Sequence, residues 1–189
     1  MAIEFIIPTW NRPNNLMVML SCLVAQTNSE WKAHVIIDGT TNEYDKVKQF
    51  YADDNRIKFS HIEGPNNDWG HTARNYGLDN LTEEWVVMTG DDNYYAPVFV
   101  NYFMPYLKED IKFIYCNMVH NNLNYFPVKS TLDFGRIDIG NFVSKSKYAK
   151  TIKLNTKDYN ADWLWIKEYH EKFRKGKTLS IEQILYVHN

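Results

Sequence analysis

Four short stretches hold the residues able to do chemistry. Asp91 and Asp92 are adjacent and follow the apolar run Trp85-Val86-Val87-Met88 directly. Adjacent acids at a strand end repel each other and need a cation or good donors. A hard divalent ion, Mn²⁺ or Mg²⁺, takes oxygen ligands and keeps positions open for substrate phosphates. One Asp, a distant His and a diphosphate would complete such a shell, and His188, at the end of the last apolar run, is a candidate. The plain alternative is a solvated Asp-Asp-Asn turn before a helix begun by Pro97. Gly70-His71-Thr72-Ala73-Arg74-Asn75 opens a helix, whose N-terminal N–H groups suit an anion, and Arg74 adds a bidentate phosphate fork. Asp162 shares a helical stripe with Ile166, Tyr169 and Phe173. An acid on an apolar face is partly desolvated, its pKa rises, and it becomes suited to act as a general base. A first-turn acid favoured by the helix dipole is the bland reading.

These residues need elements to place them. Residues 3–7 read as a strand stopped by Pro8, and Asn11 can cap a helix with Pro13 in its first turn and Leu16, Leu20 and Leu23 on one face. Residues 34–37 form a second strand, ended by Asp38-Gly39. A polar helix over 42–53 turns Tyr44, Val47 and Phe50 or Tyr51 inward. Strands at 56–59, 85–88 and 112–115 alternate with helices at 70–80 and 97–107. The run 117–145 is less regular, with room for antiparallel strands. A helix over 160–174 and a strand over 181–187 complete the chain. This order predicts an α/β three-layer sandwich with a mainly parallel central sheet and a small antiparallel addition. Ligands bind such sheets beyond the carboxyl ends of the strands, where Pro8-Thr9-Trp10-Asn11, Asp38-Gly39-Thr40 and Thr89-Gly90-Asp91-Asp92 fall.

Composition excludes several classes. The 189 residues suit one domain, and 44% hydrophobic with 23% charged is an ordinary globular balance. Lys+Arg 21 against Asp+Glu 23 gives a net charge of -2, which offers no electrostatic footprint for nucleic acid. Aromatics at 15% supply ring faces for a flat ligand as well as a core. Cys22 and Cys116, far apart, exclude a cysteine-built zinc site or disulfide framework. The N-terminus lacks a basic signal-peptide region, and no stretch approaches the ~18 apolar residues of a membrane span. A cytoplasmic setting is expected.

Strand one is followed by Pro-Thr-Trp-Asn-Arg, not G-x-G-x-x-G, so a nicotinamide or flavin site is not expected there. No P-loop and no G-x-S-x-G elbow occurs. What remains resembles a known pattern. Ile7-Pro8-Thr9-Trp10-Asn11-Arg12 is similar to the P-x-Y-N-R opening of family 2 nucleotide-sugar glycosyltransferases of the Rossmann-like GT-A fold. Asp38-Gly39-Thr40-Thr41 resembles their D-D-G-S-T turn, and Ala73-Arg74-Asn75-Tyr76-Gly77 their A-R-N-x-G. Thr89-Gly90-Asp91 falls where the D-x-D metal motif does, and Ala161-Asp162 where an E-D pair supplies the base. The chain departs from the pattern at Thr89 and Ala161, and no Q-x-x-R-W of a processive synthase follows.

The resemblance implies a single domain over 1–189, with a nucleotide-binding half (1–115) and a sugar and acceptor half (116–189). It implies metal-dependent, inverting, non-processive transfer of a hexose from a UDP-sugar to a glycan or other hydroxyl acceptor. Pro8, Thr9, Asn11, Arg12, Asp38, Gly39, His71, Arg74 and Asp92 would hold the nucleotide. Arg74, Asp91, Gly140 and Asn141 would meet the donor sugar. Asp91, Asp92 and His188 would bind Mn²⁺ or Mg²⁺, and Asp162 would be the catalytic base. A non-catalytic sugar- or nucleotide-binding domain on the same fold is the alternative. A nucleotidyltransferase would want a Gly-rich basic loop after strand one, which Arg12 alone does not supply.

Overall fold

The structure, a computed structural model, describes residues 1–39 and 42–189; Thr40 and Thr41, two residues of the second motif, lie outside the described residues. Four parallel strands form one side of the sheet: β1 (Ile3–Thr9), β2 (Trp31–Asp38), β3 (Ile57–Ile62) and β4 (Trp85–Met88). Helices α1 (Pro13–Val24), α2 (Asp45–Phe50) and α3 (His71–Asp79) lie between them in the chain. The spatial order is β3-β2-β1-β4, so the winding runs outward from β1 to β3 and then returns to β1's other side. That reversal opens a crevice at the carboxyl ends of β1 and β4, the switch point at which open α/β sheets bind ligands.

β1, β2 and β4 are covered on both faces, which is why they are largely apolar, while the edge strand β3 is only half-buried. Ile3, Phe5 and Ile7 pack with Leu16, Leu20 and Leu23 of α1 on one face. Ile6, Ile36, Val86 and Met88 pack with Ala73 and Leu78 of α3 on the other. The alternation along β1 is the two-residue period of a strand.

The sheet continues through β8 (Phe142–Lys145), β6 (Ile111–His120), β9 (Lys177–His188) and β5 (Tyr94–Tyr95), with β7 (Phe126–Val128) pairing β6. β8 is antiparallel to both β4 and β6, β9 is parallel to β6, and β5 is antiparallel to β9. Short helices α4 (Phe99–Phe103) and α5 (Ser146–Ala149) and the longer α6 (Ala161–Phe173) complete the layers. Trp165 and Tyr169 of α6 pack on Phe113 and Phe142. The α/β sandwich, the mainly parallel half and the antiparallel addition agree with the sequence expectation.

Several boundaries differ from it. β1 runs through Pro8 to Thr9. The Ile6 carbonyl accepts from Thr89 N–H, so even-numbered residues of β1 face β4, whose pairing stops at Met88. The N–H that Pro8 lacks falls beyond that neighbour, and no ladder bond is lost. Asn11 is not the helix cap. It takes a left-handed conformation, φ 54°, which Asn tolerates better than most residues. Arg12 stands at the N-cap of α1 without a side-chain cap bond. The helix expected over 42–53 is a 3₁₀ turn followed by the six residues of α2, with Tyr51 buried and Phe50 exposed. The expected helix 97–107 is α4 and a 3₁₀ turn. β6 extends to His120, and β9 starts four residues before Ile181.

Candidate active site

One cleft of about 760 Å³ opens along the carboxyl ends of β1 and β4 and reaches α6 and the end of β9. Pro8, Thr9, Asn11, Arg12, Asp38, His71, Arg74, Asp92, Asp162 and His188 all line it. The topology thus gathers residues spread over almost the whole chain into one space.

At the end of β1, the Thr9 hydroxyl donates to Asp91 Oδ2 at 2.6 Å and lies 2.8 Å from the Tyr44 hydroxyl. Tyr44 also accepts from the Arg12 backbone N–H at 3.1 Å. Arg12 Nη1 donates to Asp92 Oδ2 at 2.5 Å, and Nη2 lies 2.7 Å from Asp91 Oδ1. Asp91 is 0% exposed. Its burial outweighs the Thr9 bond and the Arg12 charge, and pushes its pKa up to about 6. The Arg12 side chain is 48% exposed and solvent screens it, so its counter-effect is the smaller one.

Asp38, at the end of β2, accepts from Asn66 N–H at 3.0 Å and from Asn66 Nδ2 at 2.7 Å. A side chain at Gly64 would run into the Asp38 carboxylate, so glycine there allows the loop to close over it. Gly39, φ 94°, needs its left-handed turn but does not line the cleft.

The start of α3 is partly filled from within. Asp68 takes the Thr72 N–H with its side chain at 2.8 Å and the His71 N–H with its carbonyl at 3.1 Å. The helix end is therefore a less open anion site than its sequence suggests. Arg74 Nη1 donates to the Trp69 carbonyl at 2.8 Å and Nη2 to the Thr89 carbonyl at 3.0 Å. Its buried Nε has no hydrogen-bond partner among the described residues. Arg74 is thus a braced cation at the switch point and not a free surface residue. His71 is buried, with Nε2 3.2 Å from the Asp158 carbonyl. Burial and then the Arg74 charge hold its pKa below the ordinary imidazole value.

Asp162 lies in the first turn of α6, half-buried. Its Oδ1 accepts from Trp163 N–H at 2.7 Å. Burial and, next, the Asp138 carboxylate raise its pKa above the ordinary carboxylate value. Asp138, which the motif reading passed over, caps the 3₁₀ turn Ile139–Asn141. It accepts from Gly140 N–H at 2.7 Å and from the Tyr186 hydroxyl at 2.6 Å. The Asp-x-x-Asn spacing of a capping box was its signal in the sequence. Tyr44 and Asn66 were also passed over: a core-facing Tyr and a loop Asn carry no local mark of the strand-end residues they meet, Thr9 and Asp38.

Gly140 and Asn141 are buried and do not line the cleft. Asn141 Nδ2 donates to the Cys116 carbonyl at 2.6 Å and to Ser130 Oγ at 2.9 Å, while its Oδ1 accepts from Asp138 N–H. These contacts support the Asp138 turn from behind. His188 reaches the cleft but not the Asp91–Asp92 turn's bonding network. Its Nδ1 lies 3.1 Å from Asn121 Oδ1, its Nε2 is 3.7 Å from Asp138 Oδ2, and its ring stacks on His120. Among the described residues no group of three His, Cys, Asp or Glu side chains is placed to hold a metal ion. The expected set of Asp91, Asp92 and His188 does not fit a metal in this arrangement, because a guanidinium stands between the acids and the imidazole is turned to another carboxylate.

The sheet order, the switch-point cleft and its carboxylates are the architecture of a GT-A glycosyltransferase domain. The chain belongs to glycosyltransferase family 2, whose model matches residues 4–174. It is 24% identical over 122 residues to an uncharacterized glycosyltransferase of Rickettsia conorii, covering 65% of this chain and 20% of that protein. It is 25% identical over 129 residues to an uncharacterized glycosyltransferase of Haemophilus influenzae, covering 65% of this chain and 42% of that protein. The chain therefore matches less than half the length of these relatives. Among solved structures, residues 1–349 of S. aureus TarS superpose with a TM-score of 0.81 at 17% identity, covering 100% of this chain and 60% of that one. The complex of that fragment with UDP-GlcNAc gives 0.79 at 17% identity, covering 99% and 58%. The mannosyltransferase PcManGT of Pyrobaculum calidifontis, in complex with GDP-Man and Mn²⁺, gives 0.69 at 15% identity, covering 98% and 56%.

Proposed function

We propose that this domain transfers a hexose from a UDP-sugar to a hydroxyl acceptor, with inversion at the anomeric carbon and without processivity. The observation that carries the reading is Asp162, a half-buried carboxylate with a raised pKa that lines the same cleft as the strand-end residues of β1, β2 and β4. The TarS structure with UDP-GlcNAc supports a UDP-linked donor, and the Asp38, Thr9 and His71 side of the cleft is where its nucleoside would lie.

The acceptor oxygen attacks C1 as Asp162 takes its proton. The bond from C1 to the diphosphate oxygen breaks, and its electron pair leaves with the diphosphate. Arg74, braced by two carbonyls, and Arg12, half-exposed on the cleft, offset the charge that develops there. A fixed cation needs no reorganisation during the step, so its placement lowers the barrier directly.

Titration calorimetry with UDP, UDP-GlcNAc, UDP-glucose and GDP-mannose tests the donor assignment. The UDP compounds should bind more tightly than GDP-mannose, and Asp38→Ala should weaken them by roughly tenfold, about 1.4 kcal/mol. Failure of every UDP compound to bind would refute the donor assignment. Binding without turnover across a broad acceptor panel would favour the non-catalytic domain.

A further inference from the structure

The turn that a divalent ion would be expected to use already contains a cation. Arg12 places one guanidinium nitrogen 2.7 Å from Asp91 Oδ1 and another 2.5 Å from Asp92 Oδ2. The guanidinium thus draws on one oxygen of each acid. Asp91 Oδ2 is engaged separately by the Thr9 hydroxyl at 2.6 Å. Asp91 Oδ1 is buried and has no aligned hydrogen bond among the described residues, so Arg12 reaches it as a charge contact only. A fully buried carboxylate with one such oxygen needs a positive neighbour, and Arg12 supplies it.

Arg12 is pinned at its backbone and reaches the cleft with its ion-paired guanidinium. Its backbone N–H is bonded to Tyr44, which also meets Thr9, so the start of its side chain is pinned to the strand end. Its guanidinium arm is 48% exposed towards the cleft. A hard cation and a guanidinium compete for the same carboxylate lone pairs.

We propose that Arg12 is the resident cation of the Asp91–Asp92 pair, and that a divalent ion gains these carboxylates only by displacing it. The affinity of the free protein for metal is then reduced by the fraction of time Arg12 occupies the pair. A diphosphate in the cleft, by offering Arg12 another anion, releases the acids. The inference rests on the ion-pair geometry and holds whatever the donor sugar is.

Mn²⁺ titrated alone, without nucleotide and followed by the electron paramagnetic resonance of the free ion, tests it. Arg12→Gln should bind Mn²⁺ at least about tenfold more tightly than the wild type. Arg12→Lys, which keeps the charge, should stay near the wild type, and adding Asp91→Asn to Arg12→Gln should abolish the gain. Thermal unfolding of each variant establishes that it is folded. Equal affinity of wild type and Arg12→Gln, tight or weak, overturns the proposal, as does a gain that survives Asp91→Asn. If Arg12→Gln does not fold, the wild type decides alone: saturable Mn²⁺ binding below about 0.01 mM without nucleotide, the weak end of the sensor range for dedicated carboxylate sites, overturns it, and no such binding supports it. UDP affinity, with and without Mn²⁺, is measured separately, and its absence in both counts against the glycosyl-transfer reading and not against this one.

Discussion

Asp162 and Asp91 are both acids with raised pKa values, and they predict opposite kinds of pH dependence. Asp162 must be ionised to accept a proton. Transfer should fall as pH drops through its pKa, and this acidic limb should lie above the ordinary carboxylate value, since burial and Asp138 raise it. A pH profile of kcat/KM with the acceptor varied checks this. Asp91 bears on stability. The fold holds its proton up to about pH 6, whereas the unfolded chain releases it near 3.8. The folded state therefore binds more protons between those values, and stability falls as pH rises through that window. The full effect is about 3 kcal/mol, at roughly 1.4 kcal/mol per pKa unit. Asp91→Asn should flatten that slope in urea unfolding measured at pH 4, 5, 6 and 7. A slope unchanged in the variant would mean that Arg12 and Thr9 compensate for burial. These two acids were visible in the sequence because each interrupts or ends an apolar pattern. Their neighbours Tyr44 and Asp138, like Asn66 beside Asp38, come from distant segments, and only the fold brings them near.

The α3–β1 contact beside the site is too close to admit one more methyl group. Gly77 on α3 faces Ile6 on β1, and a Cβ there would lie 2.5 Å from Ile6 Cγ2. Gly77→Ala should cost about 1–3 kcal/mol from overpacking, against which the helix-propensity gain of up to ~1 kcal/mol is too small. Denaturant unfolding measures the loss. Because α3 carries His71 and Arg74 and is capped by Asp68, nucleotide affinity should fall with it. The elements legible in the sequence were those with one strong period: the buried runs of β1, β2 and β4, and the stripe of α6. Beyond β4, the apolar runs within β6 and β9 were legible, but the individual strands β5, β7 and β8 were not. β8 carries Lys145, which reads as a surface residue, yet it is fully buried on Glu109 at 2.7 Å and Glu84 at 3.4 Å. β9 begins in polar residues and shifts register against β6 around Asn117, so its pattern breaks where the strand itself continues.

At the scale of the whole molecule, one sheet edge collects residues from Pro8 to His188 into a single cleft. A ligand that bridges its two ends should stabilise the entire fold. UDP at about 100 times its Kd should add roughly 2.7 kcal/mol, raising the thermal midpoint by about 5–10 °C for a chain of this size. Asp38→Ala, scanned at the same UDP concentration, should lose most of that rise. The central claim is that Asp162 is the base of a sugar transfer. It is tested most directly by measuring, in Asp162→Asn, both the rate of UDP release from a UDP-sugar with acceptor and the affinity for that UDP-sugar. The amide keeps the shape of the carboxylate but cannot take the proton. The account predicts a rate lower by ~10²–10⁴-fold with donor affinity nearly intact. Near-normal release by the variant would contradict it.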